Sequence, residues 1–279
     1  MKNKNPVKVD EVRLEKKMDI AVLIKQVPVS NDVSVDPETH ALVRASSEGM
    51  INPADLNAIE AAMVLKEQTE GKVVVFTMGP PDAEKALRDA MALGCDESVL
   101  LSDRCLGGAD TIATAKPLAR AIEKYGKFDL ILSGALSSDG ATGQVGAMVA
   151  EYLNIPHVSE ISAIEYEGKD TIQAVKKYQG EEVVIEAQLP TLMTVCFGCN
   201  EPRLATLRTK RAAKTKPLEV YTNAELQFAE TEIGLAGSPT IVTDSFSPER
   251  TRKATMLKGT PEEMAAKIRE LIEIEKGKN

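Results

Sequence analysis

A glycine-rich segment is the part of this 279-residue chain whose composition points most directly to ligand chemistry. It reads GALSSDGATGQVG over residues 134–146 and follows the apolar run 128–132. Its glycines let the backbone turn sharply and approach a ligand closely. Thr142 or Asp139 is expected to cap the helix that follows, whose free N–H groups favour an anion, typically a phosphate. The segment matches neither a P-loop nor GxGxxG, so a turn that only packs helix against strand remains an equal alternative.

Other segments are expected at the same edge of the fold. They read KQVP at residues 25–28, INP at 51–53 and MGP at 78–80. Asn52 has an amide that can donate to and accept from a purine edge, and Met78 would form a soft wall. Each of these segments alone is more often an ordinary turn. Their convergence on one crevice would favour a nucleotide.

The elements that must position these segments alternate between strands and helices. Apolar runs typical of strands covered on both faces occur at 20–24, 73–76, 98–101 and 128–132. Helical patterns occur between them at 54–67, 82–93 and 111–124. This order predicts an α/β fold with an open, mostly parallel, doubly wound sheet, Rossmann-like and nucleotide-binding. The glycine-rich segment then lies at the carboxyl end of a strand, where such sheets bind ligands.

The regular alternation of strands and helices ends after residue 155. A β-hairpin is predicted over 161–175, with further strands at 183–185 and 191–195. The polar stretch after 201 reads as an extended arm, and 261–275 as an amphipathic helix. We therefore expect a flexible N-terminal extension at 1–17, an α/β nucleotide-binding domain at 18–200 and a partner-embracing C-terminal arm with a terminal helix at 201–279.

Composition excludes several function classes. Lys and Arg total 34 against 42 Asp and Glu, a net charge of -8 that disfavours generic nucleic-acid binding. No apolar run approaches the roughly 18–20 residues of a membrane span. The first 17 residues lack the apolar core of a secretory signal, and the chain has four cysteines, so we expect a reduced, cytoplasmic setting.

Two local patterns leave alternatives open. Cys196 and Cys199 form a CxxC pair, which could be a redox dithiol or half a zinc site, although small apolar packing residues are favoured and no metal ligand is assigned. The cations between Arg203 and Lys216 are expected to meet an acidic face of a protein partner rather than nucleic acid.

Taken together, these segments resemble the β subunit of electron transfer flavoproteins. The resemblance runs from residue 18 to the terminal helix. It rests on IKQVP (24–28), INP (51–53), MGPP (78–81), ALGCDESVLLSDR (92–104), GGADTIAT (107–114), SDGATGQVG (138–146) and NEPRLATL (200–207).

The resemblance implies a heterodimer with an α subunit that carries a redox-active flavin. The β subunit of this family holds an adenine nucleotide in the crevice deduced above. In the respiratory type this is a structural AMP. In the bifurcating type, found with anaerobic acyl-CoA dehydrogenases or enoyl-CoA reductases, it is a second FAD. That FAD takes a hydride from NADH, then sends one electron to ferredoxin or flavodoxin and the other towards the dehydrogenase.

The stretch DRCLGGADTIAT at 103–114 is similar to the bifurcating type and favours FAD over AMP. One departure is that Ala135 and Leu136 stand where that type usually has a basic residue and Gln. The resemblance assigns no catalytic side chain, and a non-redox AMP scaffold and a nucleotide-signalling module remain as rival functions. The cofactor-binding residues it implies are Leu23, Asn52, Asp55, Met78, Thr111, Thr114, Gly134, Asp139, Gly140, Thr142, Gly143, Gln144 and Val145.

The resemblance also implies a loop that docks the dehydrogenase. The partner-binding residues are Phe197, Cys199, Asn200, Glu201, Pro202 and Arg203. Relatives place a large apolar residue where this chain has Cys199. Because Cys buries less apolar area, we expect Phe197 to be the main anchor.

Overall fold

The computed structural model describes residues 16–29, 34–35, 42–43, 49–243 and 256–276. The chain divides into a compact unit up to Ile241 and a second unit that starts at Val242. Most of the expected N-terminal extension lies outside the described residues.

The first unit is built around one large sheet. The described strands of the first unit, in that sheet and outside it, are β1 (Ile20–Leu23), β2 (Gln26–Pro28), β3 (Ser34–Val35), β4 (Leu42–Val43), β5 (Gly49–Ile51), β6 (Val73–Met78), β7 (Glu97–Leu101), β8 (Leu130–Gly134), β9 (His157–Glu165), β10 (Thr171–Tyr178), β11 (Glu181–Gln188), β12 (Thr191–Val195) and β13 (Leu218–Tyr221). Its helices are α1 (Pro53–Thr69), α2 (Glu84–Leu93), α3 (Thr111–Tyr125), α4 (Val145–Tyr152), α5 (Leu207–Ala213) and α6 (Asn223–Leu226). Short 3-10 turns occur at Pro81–Ala83, Arg104–Leu106 and Glu230–Glu232.

Among the described residues, nine strands form the main sheet in the order β11-β10-β9-β12-β8-β1-β6-β7-β13. The pairs from β9 across to β13 are parallel, whereas β9, β10 and β11 form an antiparallel addition. The mostly parallel, doubly wound α/β fold predicted from the sequence is confirmed. The antiparallel addition also agrees with the predicted hairpin.

Alternation along the central strands divides the core between the two faces of the sheet. Ile20 and Val22 of β1 pack in a cluster with apolar residues of α1 and α2, whereas Ala21 and Leu23 pack with α3 and α4. These side chains are 5% exposed or less, and burying one such aliphatic side chain contributes about 1.5–3 kcal/mol. The sheet is therefore covered on both faces, which explains its uninterrupted apolar runs.

The helix starts follow local chemistry. Pro53 occupies the first turn of α1, where its missing N–H costs no hydrogen bond. Asp110 caps α3 by accepting a hydrogen bond from the Ala113 N–H at 3.0 Å.

Five of the described strands were not predicted from the sequence, namely the short strands β2 to β5 and the edge strand β13. β13 lies in the polar stretch after residue 201 and pairs in parallel with β7, Leu218 beside Ser98. Tyr221 is the only buried residue of this edge strand, so its sequence carries little apolar signal.

The second unit contains helix α7 (Pro261–Lys276), which agrees with the helix predicted at 261–275. The Thr260 N–H donates to Glu263 Oε2 at 2.9 Å, and the Glu263 N–H donates to Thr260 Oγ1 at 3.3 Å, forming a capping box. Within the described part of the chain, no helix has the length and apolar character of a membrane span.

Candidate functional site

The strand order reverses at β1, which has β6 on one side and β8 on the other. In open α/β sheets such a reversal is where a ligand-binding crevice is expected, beyond the carboxyl ends of the strands, which here are β1 and β8. In the register of these strands Leu23 lies beside Ser133. The segments that begin at Lys25 and at Gly134 are thereby brought to one edge, as the sequence predicted.

Asp55 ties the three elements of this edge together. Its Oδ2 accepts from the Lys25 N–H at 2.7 Å, and its Oδ1 accepts from the Gly134 N–H and from Asn52 Nδ2, both at 3.0 Å. Burial raises the pKa of Asp55 to about 7, although the three hydrogen bonds oppose that shift. The carboxyl group thus joins the ends of β1 and β8 to the first turn of α1.

Asn52 supports the glycine-rich segment from beneath. It is 2% exposed, its Nδ2 also donates to the Leu136 carbonyl, and its Oδ1 accepts from the Ser138 N–H, both at 3.0 Å. The amide that we expected at a purine edge is therefore engaged with the loop. A nucleotide contact by Asn52 stays a prediction.

Gly134 is required by packing. A Cβ atom at this position would overlap Asp55 Oδ1 and Ala54 Cβ. Gly134 therefore lets the end of β8 approach the start of α1, which is what the packing alternative for this segment predicts.

The rest of the glycine-rich segment is open to solvent. Residues 138–144 are exposed, and Gly143 has φ +63°, a left-handed conformation that favours glycine. This stretch contains Asp139, Gly140, Thr142 and Gln144, and the half-buried Val145 begins α4.

The expectation that Thr142 or Asp139 caps α4 is wrong. Gln144 occupies the N-cap position and makes no side-chain cap hydrogen bond. Asp139 instead pairs with Lys25, whose Nζ lies 2.7 Å from Asp139 Oδ1. The first-turn N–H groups of α4 are thus left without a side-chain acceptor from this loop.

Ser133 adds a buried polar group below this helix start. It is 7% exposed, and its Oγ has no hydrogen-bond partner among the described residues. A Cβ atom on Gly146, in the first turn of α4, would lie 3.1 Å from Ser133 Oγ. Uncapped N–H groups at a glycine-rich helix start are a donor set of the kind that binds a phosphate, and the buried Ser133 hydroxyl lies directly behind it.

Other predicted residues line the neighbouring strand ends. Leu23 is buried at the end of β1, and Met78 is half-buried at the end of β6. Thr111 Oγ1 donates to Gln144 Oε1 at 3.0 Å, which links the start of α3 to the glycine-rich segment. Thr114 is half-buried one turn further along α3. The fold therefore brings the predicted cofactor residues to the strand ends and helix starts at this edge of the sheet, and their contact with a cofactor stays a prediction.

The predicted docking loop lies on another side of α1. Asn57 Nδ2 donates to the Asn200 carbonyl at 2.8 Å and to Asn200 Oδ1 at 2.7 Å. Asn57 Oδ1 accepts from the Gly198 N–H at 3.0 Å. Phe197 is 75% exposed, whereas Cys199 packs against the core beneath it.

Arg203 holds the C-terminal end of the predicted docking loop by ion pairs with α1. Its Nε lies 2.8 Å from Glu60 Oε2, and its Nη1 lies 2.6 Å from Glu67 Oε1. Burial would raise the pKa of Glu60, but the hydrogen bonds and charge of Arg203 outweigh it and hold that pKa below its usual value. Asn200 and Arg203 thus hold the loop, while Phe197, Glu201 and Leu204 are exposed. Sequence reasoning missed Asn57 and Glu60, because neither belongs to a recognisable motif.

The cysteine pair has no feature of a reactive dithiol. Cys196 and Cys199 are free, and burial raises the pKa of both thiols. A raised pKa disfavours the thiolate that redox exchange requires. In the described part of the chain, no group of three or more His, Cys, Asp or Glu residues could hold a metal ion.

The sequence of the chain is similar to those of known proteins. The family model described as "Electron transfer flavoprotein domain" matches residues 39–226. An electron transfer flavoprotein subunit beta of Thermoanaerobacterium thermosaccharolyticum is 41% identical over 256 residues, covering 91% of this chain and 98% of that protein. The caffeyl-CoA reductase-Etf complex subunit CarD of Acetobacterium woodii is 41% identical over 244 residues, covering 87% and 93%. The acryloyl-CoA reductase electron transfer subunit gamma of Anaerotignum propionicum is 39% identical over 264 residues, covering 92% and 97%. The chain therefore belongs to the electron transfer flavoprotein family and is one of its β subunits.

Proposed function

We propose that this subunit acts with an electron transfer flavoprotein α subunit in flavin-based electron bifurcation. Electrons from NADH would pass to a low-potential acceptor, ferredoxin or flavodoxin, and to an acyl-CoA dehydrogenase or enoyl-CoA reductase. The observation that carries the proposal is the donor set at the switch point, where α4 starts without a side-chain cap above the unpartnered Ser133 hydroxyl. Two of its relatives, a caffeyl-CoA reductase-Etf complex subunit and an acryloyl-CoA reductase electron transfer subunit, support the class of partner.

FAD, when bound, would supply the hydride and single-electron chemistry. The first turn of α4 and Ser133 would hold its phosphates, and Thr111 and Thr114 would bind further oxygens of the ligand. Leu23 and Met78 would form the apolar wall. The role of the protein is then to bind and orient the cofactor and to exclude water from its rings, with no side chain assigned to a proton transfer.

AMP is the second candidate ligand of the crevice. Ala135 and Leu136 offer neither a cation nor an amide, and Leu136 is 46% exposed beside the loop. A site with fewer polar contacts suits a smaller nucleotide that has only a structural role.

Nucleotide content separates these candidates. The subunit is co-purified with its α partner, and the released nucleotides are quantified. Two FAD per heterodimer support bifurcation, whereas one FAD and one AMP contradict it. Anaerobic addition of NADH should then bleach flavin absorbance only in the two-FAD form.

A variant of the glycine-rich segment assigns one nucleotide to this subunit. Gly143→Val places a β-branched residue at φ +63°, and its Cβ would lie 3.3 Å from the Ala135 carbonyl oxygen. We expect the variant heterodimer to lose one nucleotide and keep the other. Circular dichroism and the melting temperature check that the variant is folded.

The exposed loop at Phe197 is proposed to dock the dehydrogenase. The stretch from 201 onward, with α7, is proposed to embrace the α subunit. Both assignments rest on the family relationship together with the exposed apolar side chains of these segments.

A further inference from the structure

The charges around the crevice are unequal. Residues 23–28, 51–55, 78–80, 110–114 and 134–146 contain three Asp residues and one Lys. The described cation of these segments is Lys25. Of the three acidic residues, Asp110 and Asp139 have pKa values below the ordinary one, whereas burial raises the pKa of Asp55 to about 7, so Asp55 carries only part of a negative charge at neutral pH. A crevice that binds phosphate needs positive potential, and helix N–H groups supply only partial charges.

The backbone of Lys25 is fixed at the switch point. Its N–H donates to the buried Asp55 Oδ2 at 2.7 Å, directly after β1 ends. From this position the side chain crosses to the glycine-rich segment after β8. Its Nζ lies 2.7 Å from Asp139 Oδ1 and 3.5 Å from Ser137 Oγ. The lysine therefore links the segment after β1 to the glycine-rich segment after β8.

The ammonium group keeps donor capacity for a ligand. It has three N–H donors, and Asp139 uses one at short distance. The Lys25 side chain is 47% exposed, so a ligand can reach it, whereas that of Asp139 is 24% exposed. Burial would raise the pKa of Asp139, but the hydrogen bonds from Lys25 and Ser137 and the charge of Lys25 hold it below its usual value, so Asp139 is ionised at neutral pH.

We propose that Lys25 makes the crevice selective for phosphate-bearing nucleotides, by donating from Nζ to an anionic oxygen of the ligand while it remains paired with Asp139. This inference rests on the proposed nucleotide-binding function. Without Lys25, a phosphate would approach the Asp139 carboxylate with no full positive charge nearby, and like charges repel. Lys25 is therefore a specificity-determining residue that acts by charge.

The experiment compares two probes that differ by one phosphate. The heterodimer is depleted of the nucleotide of this subunit by dialysis, and calorimetry measures the Kd of AMP and of adenosine. A charge-assisted hydrogen bond typically corresponds to about tenfold in affinity or more. We expect Lys25→Gln to weaken AMP binding by about tenfold and leave adenosine binding unchanged, and Lys25→Arg to retain AMP binding.

Two further variants control this result. Lys116→Gln removes another lysine of an exposed ion pair, 2.7 Å from Glu232 and outside the crevice, and should change neither Kd. The double variant Lys25→Gln/Leu136→Lys returns a cation to the glycine-rich segment and should recover part of the AMP affinity. If Lys25→Gln weakens AMP binding only because it loosens the loop, the added lysine should not recover AMP affinity. A failure of the double variant to recover any AMP affinity would therefore contradict the proposal.

The results that would overturn the Lys25 inference differ from those that would overturn the proposed function. If AMP and adenosine weaken by the same factor in Lys25→Gln, or if AMP binding is unchanged, Lys25 is only a structural ion-pair partner and the inference is overturned. If the wild-type heterodimer carries and binds no nucleotide in this subunit, the proposed function fails as well. Extraction of AMP instead of FAD overturns the bifurcating assignment and leaves the Lys25 inference standing.

Discussion

Single buried side chains determine how the two functional loops are held. Asp55 accepts three N–H groups at the crevice, and Asn57 exchanges hydrogen bonds with Gly198 and Asn200 at the docking loop. Both residues are 5% exposed or less. Leaving a buried donor without its partner costs about 1–3 kcal/mol. Replacing either side chain should therefore lower the free energy of unfolding substantially.

Asp55 should make the stability of the subunit depend on pH. Its pKa is about 7 in the folded chain, against 3.8 for an ordinary Asp. Between these values the unfolded chain has lost a proton that the folded chain retains, so the free energy of unfolding falls as pH rises from about 4 to 7. Asp55→Asn cannot titrate and should lack this component.

The measurement is chemical denaturation of both proteins at pH 4.5 and 7.5. We expect the wild type to lose on the order of a few kcal/mol relative to Asp55→Asn across this interval. The exposed Asp82 provides a control, since Asp82→Asn should keep the wild-type pH dependence. Parallel curves for wild type and Asp55→Asn would contradict the raised pKa.

Phe197 should dominate docking to the dehydrogenase. It is 75% exposed on a loop held from below, and a truncated aromatic anchor typically costs 2 kcal/mol or more of binding, roughly 30-fold in affinity. Phe197→Ala should reduce the rate of electron transfer at limiting dehydrogenase by at least tenfold, with flavin content unchanged. Tyr178, an aromatic residue of β10 that is 58% exposed, gives the matched control Tyr178→Ala. Equal rates in wild type and Phe197→Ala would remove this anchor from the proposal.

Among the elements, α1 serves both loops. Its first turn carries Asp55, which faces the crevice, and its middle carries Asn57 and Glu60, which hold the docking loop. The helix packs against β1 and β8 through Ala58, Ile59 and Ala62, which are fully buried. One helix therefore fixes where the proposed nucleotide edge and the proposed docking loop lie relative to each other.

Glu60→Gln should loosen the docking loop and spare the crevice. The Glu60 side chain is 12% exposed and accepts from both Nε and Nη2 of Arg203, at 2.8 and 3.0 Å. Loss of this charge-assisted pair should lower the free energy of unfolding by about 1–3 kcal/mol. Electron transfer to the dehydrogenase should weaken, and nucleotide content should stay the same.

Glu67 gives the matched control for Glu60. It also pairs with Arg203, but its side chain is 60% exposed, and exposed ion pairs contribute about 0–1 kcal/mol. Glu67→Gln should therefore have a much smaller effect on stability and on electron transfer. A Glu67→Gln effect as large as that of Glu60→Gln would contradict this account of the anchor.

At the scale of the whole molecule, the first unit and the unit that contains α7 are stabilised in different ways. The first unit has its own core on both faces of the sheet, whereas Ile268, Leu271 and Ile272 of α7 form an apolar stripe whose members are about half exposed. A helix of 16 residues with an exposed apolar stripe gains little stability alone, since most helical stability in proteins comes from packing. The proposed cover for this stripe is the α subunit.

Ile268→Glu should weaken the heterodimer without unfolding the first unit. A charge in the middle of the stripe would be buried without a partner in the assembled heterodimer. Analytical ultracentrifugation of the two subunits should give at least a tenfold higher Kd, with an unchanged melting temperature of the isolated β chain. Glu273→Lys changes charge on the opposite side of the helix and is the control. Unaltered assembly of Ile268→Glu would exclude the stripe as an interface.

The sequence by itself determined the class of sheet, the position of the glycine-rich segment and the terminal helix. These features have local signals, because uninterrupted apolar runs, glycine content and 3.6-residue periodicity are readable within short windows. The edge strand β13 was not predicted, because a strand that buries little apolar surface has no uninterrupted apolar run in its sequence. The mistaken cap at Thr142 or Asp139 arose because residue type alone does not say which partner a side chain will find.

Only the tertiary structure determined which side chains and backbone groups bond to each other. Lys25 meets Asp139 across 114 positions of sequence, and Asn57 meets Asn200 across 143. Single charge pairs and amide contacts carry no periodicity, and they form because the parallel crossovers bring distant strand ends to one edge of the sheet. The family identity could therefore be inferred from motifs, while the residues that hold the crevice and the docking loop in place became visible only when the chain was folded.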